Sequence, residues 1–316
     1  MEQLFEAVEP HMGALVKIKL FASNGREASA ALLEAFGRIA RLDTILSDYN
    51  PESELNRICL AAAKRPVVVS PDLFRVLQSA QRVAIDTDGA FDVTAGPLIR
   101  LWREARRYCQ LPNPQSLNRA RDLCGYRKIE LDAVNGTIKL DSRDMRLDLG
   151  GIGKGYAADE AIATLLERGI QCALVNFSGE LRFTGNPHGQ AGWRIGMKWR
   201  NGTRAAQIRT VRLTDGALST SGGEEQHLCV DGVCYSHIVD PRTGWAVTEQ
   251  ITVSVVAPDG VQADSLSTAM SVLGREMRAP FIQRSQYIAA VTSSETETSV
   301  HCGQSFRREL LRESAS

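Results

Sequence analysis

At 316 residues the chain can bury a large core, and it reads as a single domain spanning residues 1–316. Lys plus Arg and Asp plus Glu total 37 each, so no net field draws the chain to nucleic acid or to an anionic membrane. The 43% hydrophobic and 23% charged fractions are ordinary for a soluble globular protein, and no apolar run approaches the length of a membrane span.

The first twenty residues carry Glu2, Glu6 and Glu9 where a signal peptide needs a basic region and an apolar core, which predicts a cytoplasmic protein. The seven cysteines are scattered and include no C-x-x-C pair, so they read as reduced thiols, neither a disulfide framework nor a zinc site. Cys229 and Cys234 flank an Asp231-Gly232 turn and could meet there, but read first as packing residues.

Met12 to Phe21 alternates apolar and polar residues, predicting a half-buried strand. Glu27 to Leu46 has helical spacing, and Asn50-Pro51 follows as a breaker. A second helix is predicted over Pro71 to Asp86, with Asp72 in its first turn. Gly89-Ala90-Phe91-Asp92 reads as a loop, where Asp92 either serves a site or caps the next element. Arg103 to Gly125 reads as a helix running into a surface loop, without a catalytic assignment. Lys128 to Leu149 reads as a meander turning at Asn135-Gly136.

Leu147 to Glu160, LDLGGIGKGYAADE, is the stretch to build on. It predicts a strand over Met145 to Leu149, a glycine loop, and a helix from about Tyr156. Gly150, Gly151, Gly153 and Gly155 lack a Cβ, so the backbone can approach a ligand closely and take φ above zero. A helix N-terminus behind such a loop suits a phosphate, and Lys154 adds a positive charge. The spacing is too tight for a dinucleotide fingerprint, and Gly155 stands where a P-loop needs Ser or Thr. A sharp turn without a ligand fits the loop equally.

Cys172 to Phe177, Trp193 to Met197, Thr210 to Leu213, Ala217 to Gly223 and Ile251 to Ala257 read as further strands. His237, Asp240, Arg242 and Thr243 crowd into a turn-rich segment. Gln262 to Gly274 reads as a helix whose Asp264 and Thr268, four apart, share a face. These are hard oxygen ligands suited to Mg²⁺, or else a cap and a core Thr. The tail after Cys302 is charged and is expected to fray.

Five ordered motifs stand out: Asp48 to Leu55, Gly89 to Thr94, Asp148 to Tyr156, Thr220-Ser221-Gly222 leading to His237 through Gly244, and Ala263 to Ala269. Together they resemble the ApbE family of flavin transferases, from Met12-Gly13 to Gly274. The resemblance implies an α+β fold of two interleaved lobes with mixed or antiparallel sheets and an FAD site between them. It implies Mg²⁺-dependent transfer of FMN from FAD to a Thr or Ser hydroxyl of an acceptor protein, releasing AMP. By position, Met12, Tyr49, Ala90, Phe91, Asp92, Asp148, Lys154 and Ile238 would line the FAD site. Asp264 and Thr268, with the carbonyl of Gly151, would hold the metal. His237 stands where the family keeps its catalytic His, with a turn-bonding role as the alternative. Ser178-Gly179-Glu180 departs from the family's Gly-Gly-Asp or Gly-Gly-Asn and alters the pocket wall. An FAD pyrophosphatase would need the same parts, and a non-catalytic flavin-binding protein would keep only the pocket.

Overall fold

The computed structural model describes residues 2–63, 65–199, 207–222, 227–284, 289–294 and 298–302. Its chain opens with a hairpin of β1 (Gln3–His11) and β2 (Ala14–Ala22), turning at Met12 and Gly13 with φ of 50° and 71°. Val16, Ile18, Leu20 and Ala22 of β2 point into the core, as the alternation predicts. β1 is an edge strand, where Pro10 is tolerated and Leu4 and Val8 stay half exposed.

Capping side chains set the helix starts that follow. Asn24 accepts the N–H groups of Arg26 and Glu27 to open α1 (Gly25–Leu46), and Ser53 opens α2 (Glu54–Ala61). After β3 (Val67–Val68), Ser70 and Pro71 start α3 (Pro71–Asp86). The segment expected to be one helix and a loop holds two helices, α4 (Gly96–Tyr108) and α5 (Pro114–Asp122). Cys109 ends the first in a left-handed cap, and Asn113-Pro114 restarts the second.

β4 (Ile129–Asp132) and β5 (Thr137–Leu140) form the expected hairpin at Asn135-Gly136. Met145 to Leu149 is not a strand. The N–H of Asp148 goes to the carbonyl of Val93 (2.8 Å) and that of Leu147 to Cys59 Sγ (3.4 Å), so neither joins a ladder.

The chain continues through α6 (Gly153–Glu167), β6 (Ala173–Phe177), β7 (Glu180–Thr184), β8 (Trp193–Trp199), β9 (Gln207–Leu213) and β10 (Gly216–Gly222). Then come β11 (His227–Val230), β12 (Val233–Ser236), β13 (Ile251–Ala257), α7 (Gly260–Val272), α8 (Arg275–Gln283), β14 (Ala289–Ser294) and β15 (Thr298–Cys302).

One eight-stranded sheet, in the order β1-β2-β6-β7-β10-β13-β14-β15, carries the fold; β3-β5-β4 form a small second sheet. Every pairing between the described strands is antiparallel, as suits an α+β chain. Neighbouring residues of one strand serve opposite faces: Ala217 and Val255 join the core under α1, α6 and α7, while Leu218 and Val256 join the cluster under the β8–β9 hairpin. A third cluster, around Leu98 and Trp102 of α4, includes Leu228 and Val239.

The reading of all cysteines as free thiols is overturned. Cys229 and Cys234 are directly opposed on β11 and β12, with Cα atoms 4.0 Å apart, and are joined in a disulfide. Cys59, Cys109, Cys124 and Cys172 are free. Among the described residues no helix is long and apolar enough to cross a membrane. The tail after Cys302 lies outside the described residues.

Candidate active site

Segments far apart in the sequence close on a cavity of about 830 Å³. The glycine loop and the first turn of α6 meet α7 at its floor. None of Gly150, Gly151, Gly153 and Gly155 takes positive φ, contrary to the sequence reading. Three of them stand close to a neighbour instead, and at Gly155 that neighbour is backbone. A Cβ on Gly155 would stand 2.1 Å from the carbonyl oxygen of Gly260, so α6 crosses α7 backbone against backbone. One on Gly151 would stand 2.9 Å from Thr268 Oγ1 and 3.3 Å from Phe91, and one on Gly150 would stand 3.0 Å from Asp148 Oδ1. Gly153 is roomier, with the Met12 methyl 3.6 Å away.

α7 is locked over this floor. Ser267 Oγ lies 3.1 Å from Ser219 Oγ and 2.8 Å from Ser221 Oγ, both on β10. Asp264, 3% exposed, accepts the N–H of Gly155 at 3.0 Å through Oδ2. Burial raises its pKa and the charge of Glu180 adds to the rise, while Lys154 opposes both. Lys154 itself donates to Glu180 Oε1 at 2.6 Å. Burial alone would lower the lysine's pKa, but Glu180 and Asp264 outweigh it and raise it.

The wall across from the floor comes from α4 and the loops beside it. Arg103 donates to Asp48 (2.6 Å) and to Asp148 (3.0 Å), and its guanidinium lies 4.6 Å from the centre of the Tyr49 ring. Burial pushes the Asp148 carboxyl up, the Asp48 charge pushes it the same way, and Arg103 counters them. Asp92 caps the turn beyond the loop, accepting the N–H and hydroxyl of Thr94 at 2.8 and 2.7 Å, and burial raises its pKa too. His237 enters at the end of β12. Its turn is fixed by Ser236 Oγ accepting the Ile238 N–H (3.1 Å) and by the carbonyl of Gly244 accepting Trp102 Nε1–H (3.0 Å).

Tyr49, Ala90, Phe91, Asp92, Asp148, Lys154 and Ile238 all line this one cavity, as do His237, Gly151, Asp264 and Thr268. Met12 does not line the cavity among the described residues; it stands behind the glycine loop of the floor, its methyl against Gly153 and its N–H on Asp43 Oδ2 (3.1 Å). Asp240 and Arg242 pair with each other at 2.9 Å and serve the turn. Sequence reasoning missed Arg103 and Arg106, which also line the cavity, and did not foresee Glu180 as the partner of Lys154. Ile99, Arg103 and Arg106 recur at helical spacing on α4, and that stripe is the signal that could have found them.

The donor set suits Mg²⁺. Among the described residues no group of three or more His, Cys, Asp or Glu side chains could hold a metal ion by itself. One buried carboxylate, a hydroxyl one turn along α7 and a backbone pressed against that hydroxyl form an incomplete oxygen set. Mg²⁺ commonly completes such a set with water and substrate phosphates.

The model of the ApbE family matches residues 12–292. The chain belongs to the ApbE family. An ApbE-family relative from Treponema pallidum (strain Nichols), an FAD:protein FMN transferase, is 31% identical over 287 residues, covering 86% of this chain and 79% of the relative. A similarly named protein of Klebsiella pneumoniae (strain 342) is 29% identical over 89% of this chain and 86% of its own. Among solved ApbE structures, the flavin transferase ApbE of Vibrio cholerae superposes with a TM-score of 0.87 at 26% identity, over 98% of this chain and 100% of that one.

Proposed function

We propose that this ApbE-family chain transfers FMN from FAD to a Thr or Ser hydroxyl of an acceptor protein, releasing AMP. One observation carries the reading: His237, Asp264 and Thr268, from segments that the sequence keeps apart, line the same cavity. The names of the relatives supply the substrate class. The acceptor oxygen attacks the phosphorus on the FMN side, the bond from that phosphorus to the bridging oxygen breaks, and AMP leaves. The hydroxyl is a weak nucleophile until a base takes its proton; His237 lines the cavity, and its imidazole would be that base. Asp264, Thr268 and the Gly151 carbonyl would hold Mg²⁺. When bound, Mg²⁺ would supply charge neutralisation and orientation for the phosphates.

The remaining assigned residues bind and orient. Tyr49, Ala90, Phe91, Asp92, Asp148, Lys154 and Ile238 shape the FAD site, and Met12 supports the glycine loop from behind. A cytoplasmic setting rests on the buried thiols Cys59, Cys124 and Cys172, with the Cys229–Cys234 bridge as the opposing feature.

Mass spectrometry of candidate acceptors incubated with the protein, FAD and Mg²⁺ tests the reading. A mass gain of one FMN supports transfer, and AMP with free FMN and no adduct overturns it in favour of hydrolysis. His237→Ala is expected to bind FAD normally and to transfer FMN about 10²–10⁴-fold more slowly. An unchanged rate returns His237 to a role in the turn.

A further inference from the structure

Among the described residues, the charged side chains lining the cavity are Asp92, Asp148, Glu180 and Asp264 against Arg103, Arg106 and Lys154. Two of the three cations are committed: Arg103 to Asp48 and Asp148, and Lys154 to Glu180. Arg106 is not. Its Nη1 is buried yet has no hydrogen-bond partner among the described residues. Burial and the nearby charge of Arg103 both lower its pKa, so its surroundings as they stand disfavour the charge that it carries. A buried donor nitrogen of a charged group without an acceptor is costly and calls for a partner such as a bound anion or a water.

Its position says which ligand. Arg106 follows Ile99 and Arg103 along the cavity-facing stripe of α4. Arg103 backs the Tyr49 ring, which is 77% exposed and so keeps aromatic surface open beside the cavity. An aromatic face next to a guanidinium with donors to spare suits a nucleotide, because the ring stacks and the planar fork bonds phosphate oxygens in pairs. Among the described residues carboxylates outnumber cations around this cavity, so an entering phosphate needs a cation that no carboxylate already holds.

We propose that Arg106 is the cavity's receptor for a phosphate oxyanion of the bound dinucleotide, a role that rests on FAD being the substrate. Titration of FAD, AMP and riboflavin separately into the parent, Arg106→Gln, Arg106→Lys and Arg107→Gln tests it. Arg107 stacks near Tyr108 outside the cavity wall and controls for a lost helix charge. FAD and AMP are expected to bind Arg106→Gln about 10- to 100-fold more weakly, the loss of a charge-assisted hydrogen bond. Riboflavin, which has no phosphate, is expected to bind as to the parent. Arg106→Lys keeps the charge without the fork and falls between, which also guards against a glutamine variant that folds poorly. Unchanged FAD and AMP binding in Arg106→Gln overturns the proposal, and so does an equal loss of riboflavin, which would mark a packing role. A parent that binds AMP but not FAD sinks the substrate reading, and the AMP arm alone then decides the arginine.

Discussion

The floor of the cavity and the wall that faces it are built by opposite means. At the floor, α6 and α7 touch through Gly155 and Gly260, and an added Cβ at either would fall within 2.4 Å of the other's carbonyl oxygen. On the wall, α4 reaches the cavity through the long side chains of Arg103 and Arg106. The floor fixes the oxygens of Asp264 and Thr268 against closely packed backbone, whereas the wall places charge at the end of flexible stems. A rigid backbone suits metal geometry, and extended guanidiniums suit an anion that must enter and leave.

The sharpest way to break this contrast is Gly155→Val. Its side chain cannot fit against Gly260, so the helices must part and the protein is expected to lose at least about 3 kcal/mol of stability. A parental melting curve by circular dichroism would show that the floor is not closed backbone to backbone.

Asp264→Asn comes next. It keeps an oxygen for the Gly155 N–H while removing the charge, so the fold should survive and Mg²⁺-dependent AMP release should fall on the order of 10³-fold, the several kcal/mol of metal assistance. Undiminished release, or release indifferent to EDTA, would take the metal away from this floor.

Arg103→Ala probes the wall through pH. The Asp148 carboxyl is raised in the fold, so its favourable contribution is complete below the unfolded value of about 3.9 and fades as pH rises through the folded one. Without Arg103 that folded value rises further, and the fading deepens. The variant should trail the parent by about 1–2 kcal/mol near neutral pH and approach it in acid. A gap that stays constant across the pH range would mean that Arg103 supports the wall by packing on Tyr49 alone.

The smallest effect is expected at Gly153→Ala. The new methyl meets Met12 and Leu149 at 3.6–3.7 Å and φ is not positive, so melting should stay within about 0.5–1 kcal/mol of the parent, with stabilisation the favoured sign. A large loss there would return the loop to one that needs conformational freedom at every glycine.

The same contrast explains what could be read in advance. Two helices with clear periodicity, α1 and α3, emerged close to their predicted places because one face of each is buried, and β13, buried along its whole length, emerged from its β-branched composition. The clustered glycines point to the floor, whereas the spacing of Asp264 and Thr268 fits a cap and a core Thr as well as a metal site until the family resemblance is added. The reason for the glycines was not legible: Gly155 faces a residue 105 positions later, and only the fold shows that neighbour. Arg103 and Arg106 share a helical stripe with Ile99, but the spacing alone does not say whether that stripe turns to a cavity or to solvent. Met145 to Leu149 reads as a strand by composition, yet Val93 and Cys59 take two of its donors first. The cysteine pair was ambiguous for a similar reason, since a turn at Asp231-Gly232 permits a bridge without requiring one.

The bond from Trp102 to Gly244 has one more consequence. Trp102 is fully buried one residue before Arg103, and its indole grips the loop that begins at His237. The arginine-bearing helix and the histidine-bearing loop are therefore one mechanical part. Any tilt of α4 would carry the histidine loop with it, and because Tyr235 and Trp245 pack on the same indole at 5.4 and 5.9 Å, such a movement would be expected to change the protein's own ultraviolet emission.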